Sequence, residues 1–148
     1  MPFEGPVLAL DYGSRRIGIA VSDEEARFAF PAGFLACRGR ERDLAALGEL
    51  ISERSIRRVV VGLPLHMDGR RGDAAAAAEK FANTIAEMTG LPVEMLDERW
   101  TTREAERALR ESRCGPEKRR EAVDAAAATL ILRTYLERAR HAPEGEPA

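Results

Sequence analysis

The chain has 148 residues, 45% of them hydrophobic and 32% charged, which suits one ordinary domain with a real core and a well-solvated surface. No apolar run reaches the roughly 18 residues that span a bilayer, and the N-terminus lacks a basic and an apolar secretory region; these features predict a cytosolic protein with no membrane partner. The formal net charge of −2 excludes a uniformly basic nucleic-acid binder, and two isolated cysteines, Cys37 and Cys114, with two isolated histidines exclude a disulfide framework and a zinc–cysteine site. Any bound metal is therefore expected to be hard and held by carboxylates.

In chain order, Val7 to Asp11 is an apolar strand ending in an acid, followed by a turn at Gly13-Ser14-Arg15-Arg16. Ile17 to Val21 and Phe28 to Leu35 are two further extended stretches, so the first third predicts an antiparallel meander. Leu44, Leu47, Leu50 and Ile51 recur at helical spacing and predict a helix over Glu41 to Ser55. Arg58 to Leu63 reads as a buried strand. Asp73 is expected to cap a helix with Phe81, Ile85 and Met88 as its apolar stripe, ended by Gly90. Leu91 to Leu96 is another strand. Thr101 to Glu104 forms a capping box that opens a helix, which Gly115-Pro116 breaks. Pro116 starts a last helix running to about Arg138, with Val123, Ala127, Leu130 and Ile131 facing inward.

The order βββαβαβα, closed by one more helix, predicts an α/β fold. Its mixed sheet would combine a three-strand antiparallel meander with parallel strands, flanked by helices. One domain over residues 1–138 and a disordered tail over 139–148 are expected.

Three acids stand out. Asp11 ends an apolar strand, where α/β sheets place ligands, although Asp-Tyr-Gly-Ser also reads as a turn. Glu98 follows a strand and precedes a helix; a favourable helix-dipole position explains it too, and fits Asp97 at least as well. Asp124 lies near the start of the last helix among alanines, where the dipole or a pair with Arg120 would also account for it. Together the three can converge on one patch. Their mutual repulsion would then call for cations between them, and two divalent ions about 4 Å apart would clamp an in-line phosphoryl displacement.

Basic residues are concentrated from Arg99 to Arg120, eight against four acids, giving +4 in an acidic chain. Arg99, Arg103, Arg107 and Arg110 form one helical stripe suited to a phosphate backbone, or a solvated face with pairs such as Glu106–Arg110. Lys118, Arg119 and Arg120 read as a mobile basic segment or as an ordinary first helical turn. The polar loop Met67 to Gly72, with His66 before it and Arg70 within it, offers backbone N–H groups to a phosphate but lacks the lysine of a P-loop. Arg15 and Arg16 in the first turn complete the candidate nucleic-acid contacts.

The segments LALDYGSRRIGIAVSD (Leu8 to Asp23), VVVGLPLHMDGRRG (Val59 to Gly72), LDERWTTREAERAL (Leu96 to Leu109) and VDAAAATLILRTYLE (Val123 to Glu137) resemble the YqgF/RuvX family of pre-16S rRNA nucleases, once described as Holliday-junction resolvase-like. The resemblance implies an RNase H-like, RuvC-related fold and hydrolysis of nucleic acid with Mg²⁺ or Mn²⁺, two ions by the reasoning above. It also implies a role in maturing the 5′ end of 16S rRNA. The family's acids fall on Asp11, Glu98 and Asp124, as catalytic and metal-binding residues. Trp100 stands where Leu or Phe is usual and His66 where Asn is common. A fourth acid, frequent one helical turn after the third in RuvC-type sites, is replaced by alanine, which implies weaker activity or looser metal geometry.

The expected partners are pre-16S rRNA, the pre-ribosomal small subunit or branched DNA, with the chain a monomer or weak homodimer. The competing functions are a ribosome-assembly factor with little catalysis, a resolvase acting on branched DNA, and an ATPase, whose fold needs two such lobes where this chain has one.

Overall fold

The computed structural model describes residues 4–64, 68–97 and 116–141, with the backbone alone given for 116–124 and for His141. Five strands build one sheet: β1 (Val7–Tyr12), β2 (Arg16–Ser22), β3 (Ala29–Ala36), β4 (Arg58–Leu63) and β5 (Val93–Asp97). Their order is β3-β2-β1-β4-β5. β1, β2 and β3 pair antiparallel as the predicted meander, while β4 lies parallel to β1 and β5 parallel to β4.

The central strands are apolar without alternation because helices cover both faces. Val7, Leu8, Ala9 and Leu10 of β1 and Val59, Val60 and Val61 of β4 are all fully buried. Leu8, Leu10, Val59 and Val61 turn to one face, under α1 (Arg40–Glu53) and α2 (Asp73–Thr89). Val7, Ala9, Ala20 and Val60 turn to the other, under α3 (Pro116–His141). The result is a sheet between two helical layers, as expected. α1 buries Asp43, Leu47 and Ile51, at four-residue spacing. The Asp43 carboxylate is kept there by the N–H of Arg38, 2.9 Å away.

The connection from β2 to β3 is tied by Asp23, whose carboxylate accepts the backbone N–H groups of Arg27 at 2.7 Å and Phe28 at 3.0 Å. Burial pushes this carboxyl up, but those backbone donors outweigh it and hold Asp23 below the ordinary carboxylate range. β3 is an outer strand of the sheet and contains Pro31 and Gly33, the latter at φ +80°. Its register against β2 shifts between Gly18 and Ala20.

Three expectations are corrected. Asp73 does not cap α2: Gly72 takes that place, its carbonyl accepting the N–H of Ala76 at 3.1 Å, and Asp73 is the first helical residue. Met88 is not in the buried stripe, which is drawn by Ala75, Ala78, Phe81, Ala82 and Ile85; it is 44% exposed. The helix ends one residue later, and the Met88 methyl lies near Gly48 of α1. Finally, α3 runs to His141, past Arg138, because Ala139 extends the buried stripe of Leu132, Tyr135 and Leu136. Leu130 is half-buried where Ala127 and Ile131 are fully buried. The capping-box helix from Thr101 lies outside the described residues. Among the described residues no helix is long and apolar enough to cross a membrane.

Candidate functional site

The parallel strands β1, β4 and β5 deliver their carboxyl ends to one side of the molecule, where open α/β sheets place ligands. Leu10 is opposite Val61 in the β1–β4 register, so Asp11 stands level with Gly62; Gly62 is in turn opposite Leu96, and Leu63 opposite Asp97. The ends of β1 and β5 thus flank β4, about 10 Å apart across two strand spacings.

Alternation along the strands then separates the acids. Asp11 has the parity of Val7 and Ala9, and so turns to the α3 side. Leu96 also belongs to the α3-side core, so its neighbour Asp97 turns to the face of α1 and α2. Asp11 and Asp97 therefore point to opposite faces of the sheet. Glu98 lies outside the described residues.

α3 runs antiparallel to β1. Near its end, Arg140 donates to the carbonyl of Arg27 beside the amino end of β1. Further back, the Tyr135 hydroxyl accepts from Arg58 Nη1 at the start of β4, at 3.4 Å, and the same Arg58 nitrogen pairs with Glu94 of β5 at 3.3 Å. Burial, then hydrogen bonding to Glu94, pushes the Tyr135 hydroxyl well above its ordinary range. From Tyr135 back to Asp124 is about 16 Å of helix, and from Arg58 to Gly62 about 13 Å of strand. The backbone of Asp124 therefore lies at the same end of the sheet as Asp11, and on the face to which Asp11 turns.

The approach is close because both surfaces are small. Ala125, Ala127 and Ala128 are buried in α3, while Ala9, Gly18 and Ala20 form the sheet beneath. Gly18, which carries no side chain, is the direct partner of Asp11 on β2.

Tyr12, not among the candidate residues, stacks on Phe81 of α2 with ring centroids 4.3 Å apart. It pins the end of β1 from the opposite face. Only its place after an acid at a strand's end could have signalled this. Gly13 closes the following turn, donating to the Arg16 carbonyl at 3.0 Å; a Cβ added to it would meet that oxygen at 2.7 Å. Gly13→Ala is expected to force the turn open and destabilise the protein by about 1–3 kcal/mol, measured by denaturant unfolding. A fully stable Gly13→Ala protein would show that the turn relaxes freely.

The basic residues fare differently. Arg16 places its guanidinium 5.1 Å from the centre of the Phe34 ring. Arg15 is exposed, its carbonyl accepting the N–H of Cys37 at 2.8 Å. Arg70 is turned onto Asp68, with Nε 2.5 Å from the carboxylate, which offsets its charge. Lys118, Arg119 and Arg120 stand in the first turns of α3, the ordinary helical alternative for them. His66, Arg99, Trp100, Arg103, Arg107 and Arg110 lie outside the described residues. Among the described residues no three His, Cys, Asp or Glu side chains gather to hold a metal; Asp11 is the one proposed ligand whose side chain is described.

Comparison with known proteins gives a consistent picture. A family model described as "RuvX: Holliday junction resolvase" matches residues 5–138. A protein of Chloroflexus aggregans named as a candidate pre-16S rRNA nuclease is 46% identical over 93% of this chain and 97% of its own length. One from Anaeromyxobacter sp. (strain Fw109-5), named likewise, is 45% identical over 91% and 98%. Among solved structures, T. thermophilus RuvC in complex with a Holliday junction aligns at TM-score 0.56 and 18% identity, covering 90% of this chain and 94% of that one. Fowlpox virus resolvase aligns at TM-score 0.56 and 8% identity, covering 89% and 97%. At these identities the structures show the fold alone, and that fold is RNase H-like, of the RuvC kind.

Proposed function

Because the chain belongs to the RuvX family, we propose that it is a nuclease that hydrolyses phosphodiester bonds of nucleic acid at the carboxyl end of its sheet. The observation that supports this most is the placement of Asp11 on the α3 face, level with the backbone of Asp124. In this reading Asp11, Glu98 and Asp124 hold divalent cations. Glu98 is assigned over Asp97 because Asp97 turns to the opposite face of the sheet. The donor set fits Mg²⁺ or Mn²⁺: the Asp11 carboxylate is a hard oxygen donor, half-exposed at a strand's end. Such ions, when bound, supply charge stabilisation for an in-line displacement at phosphorus.

The chain's own contribution is position. Asp11 extends from a strand packed on both faces, so its carboxylate is fixed without any partner having to move. Gly18 beside it leaves room on β2 for a phosphate. Asp124 is carried by a helix seated on alanine and glycine, whose height over the sheet is set by backbone contact.

The substrate proposed is pre-16S rRNA, the substrate in the relatives' names; the cut is proposed near its 5′ end, within the precursor of the small ribosomal subunit. This task needs only a monomer, whereas resolving branched DNA would need a symmetric dimer. A second reading, an RNA-binding assembly factor with little catalysis, draws on one observation. Ala127 and Ala128, one turn after Asp124, are both fully buried, so the helix has core packing where a fourth acid would stand.

The test is cleavage of a labelled single-stranded RNA, a structured pre-rRNA 5′ fragment and a four-way DNA junction, each with Mg²⁺, Mn²⁺ or EDTA. Metal-dependent cleavage of the pre-rRNA fragment is expected. Binding without cleavage of any substrate would replace the nuclease by the assembly factor, and preferential cleavage of the junction would replace the substrate.

A further inference from the structure

The end of β1 has a second side. Tyr12 follows Asp11 and packs toward α1 and α2, where it borders a cavity of about 380 Å³. Ser14 of the β1–β2 turn, Arg40 and Asp43 of α1, and Lys80 and Phe81 of α2 are also in its wall. β1 and β3 both pair antiparallel with β2, so they run the same way, and α1 starts at the carboxyl end of β1. The cavity and the acidic end thus lie on the two faces of one strand end, with the β1–β2 turn between them.

One cation of this wall is pinned, and a second stands beside it. The Thr84 hydroxyl donates to the Lys80 carbonyl at 2.9 Å, one turn back on α2, and accepts from Arg40 Nη2 at 2.8 Å. Lys80 and Thr84 are neighbours on the helix surface, so the guanidinium is held on the side of α2 that carries the Lys80 ammonium. Among the described residues neither cation pairs with a carboxylate. The positions three and four from Lys80 are Ala76, Ala77, Asn83 and Thr84, and Glu79 beside it pairs with Arg71. The one carboxylate in the wall, Asp43, is 8% exposed and accepts the N–H of Arg38. Outside the wall, the exposed Arg15, Arg38 and Arg42 outnumber Glu41 and Asp73, the latter about 10 Å along α2 from Lys80. Like charges gathered with so little opposite charge repel each other unless an anion lies between them.

We propose that Arg40 and Lys80, with Ser14 at the rim, form a phosphate-binding cleft. It holds the backbone of the nucleic-acid substrate where the strand has passed over the β1–β2 turn from the acidic end. A guanidinium on a pinned stem suits the two free oxygens of a phosphodiester, and an ammonium beside it adds a point charge. The cavity has the size of sites that take one small ligand, so it admits a nucleotide of a single strand. The cleft therefore favours substrates with an unpaired flank. This rests on the nucleic-acid reading of the acidic end.

The test is fluorescence anisotropy of the full chain in EDTA, over a series of salt concentrations, with a labelled oligouridylate of about twelve nucleotides. Arg40→Gln and Lys80→Gln are each expected to lower the slope of log affinity against log salt by about 0.7. The pair together should weaken binding about tenfold or more. Arg40→Lys/Lys80→Arg should restore most of the slope, since both charges remain. Arg54→Gln, at the far end of α1, changes net charge alike and should keep the wild-type slope. Arg40 and Lys80 are exposed, so their substitution leaves the core intact. With Mg²⁺ or Mn²⁺, the pair should raise KM for cleavage and leave kcat unchanged, because the contact is remote from the reacting atoms. A slope and affinity in the Gln pair equal to those of the wild type would overturn the proposal, even if the wild type cleaves. Equilibrium dialysis of uridine monophosphate is the second arm. Nucleotide bound by the wild type and lost in the pair, with RNA affinity unchanged, would overturn the strand contact and assign the cleft to a free nucleotide. A reduced slope in the pair, with no cleavage by the wild type, would keep the cleft and remove the nuclease.

Discussion

Asp11→Asn is expected to abolish metal-dependent cleavage while the protein stays folded. Replacing a charged oxygen donor by an amide removes charge stabilisation worth several kcal/mol in a metal-assisted displacement, which corresponds to roughly 10³-fold or more in rate. Glu98→Gln and Asp124→Asn should behave alike. The metal-free melting temperature of each should be unchanged or raised, since gathered carboxylates repel one another. Asp97→Asn supplies the contrast: it faces α1 and α2, so its cleavage rate should stay close to that of the wild type. Loss of activity in Asp97→Asn, with Glu98→Gln active, would exchange the two residues. Normal cleavage by Asp11→Asn would remove that residue from the site.

Ala128→Leu is expected to damage activity far more than stability. Ala128 is fully buried where α3 meets the sheet, and added methylenes in such a place cost about 1–3 kcal/mol. The helix must lift to make room, and it carries Asp124 one turn away. A shift of about 1 Å in a reacting group costs on the order of 10²-fold in rate. Single-turnover cleavage beside denaturant unfolding separates the two effects. A rate loss no larger than the fraction unfolded would show that the height of α3 does not matter to the chemistry.

Much of the architecture was legible because strand and helix periods differ so clearly in this chain. Val59 to Val61 is a β-branched run that only a strand covered on both faces would carry, and β1 and β4 are such strands. The helix ends were less legible, for local reasons. Gly72 caps α2 through its carbonyl, which needs no particular side chain, so the more conspicuous Asp73 predicts the cap one residue late. Met88 has the right spacing for the buried stripe but lies at the helix's last turn. The choice between Asp97 and Glu98 depends on which face α3 covers. That is a property of the β1–β4–β5 register and of α3 packing, and no single strand's sequence contains it. The role of Tyr12 depends likewise on Phe81, nearly seventy residues away.

The outer strand β3 has one more consequence. Open strand edges invite a second molecule to continue the ladder, and Pro31 has no N–H to contribute while Gly33 at φ +80° bends the chain out of the extended form. Two copies meeting there cannot merge into one continuous sheet. The edge is thereby protected against sheet-by-sheet aggregation, and any self-association of this chain must be built through a different surface.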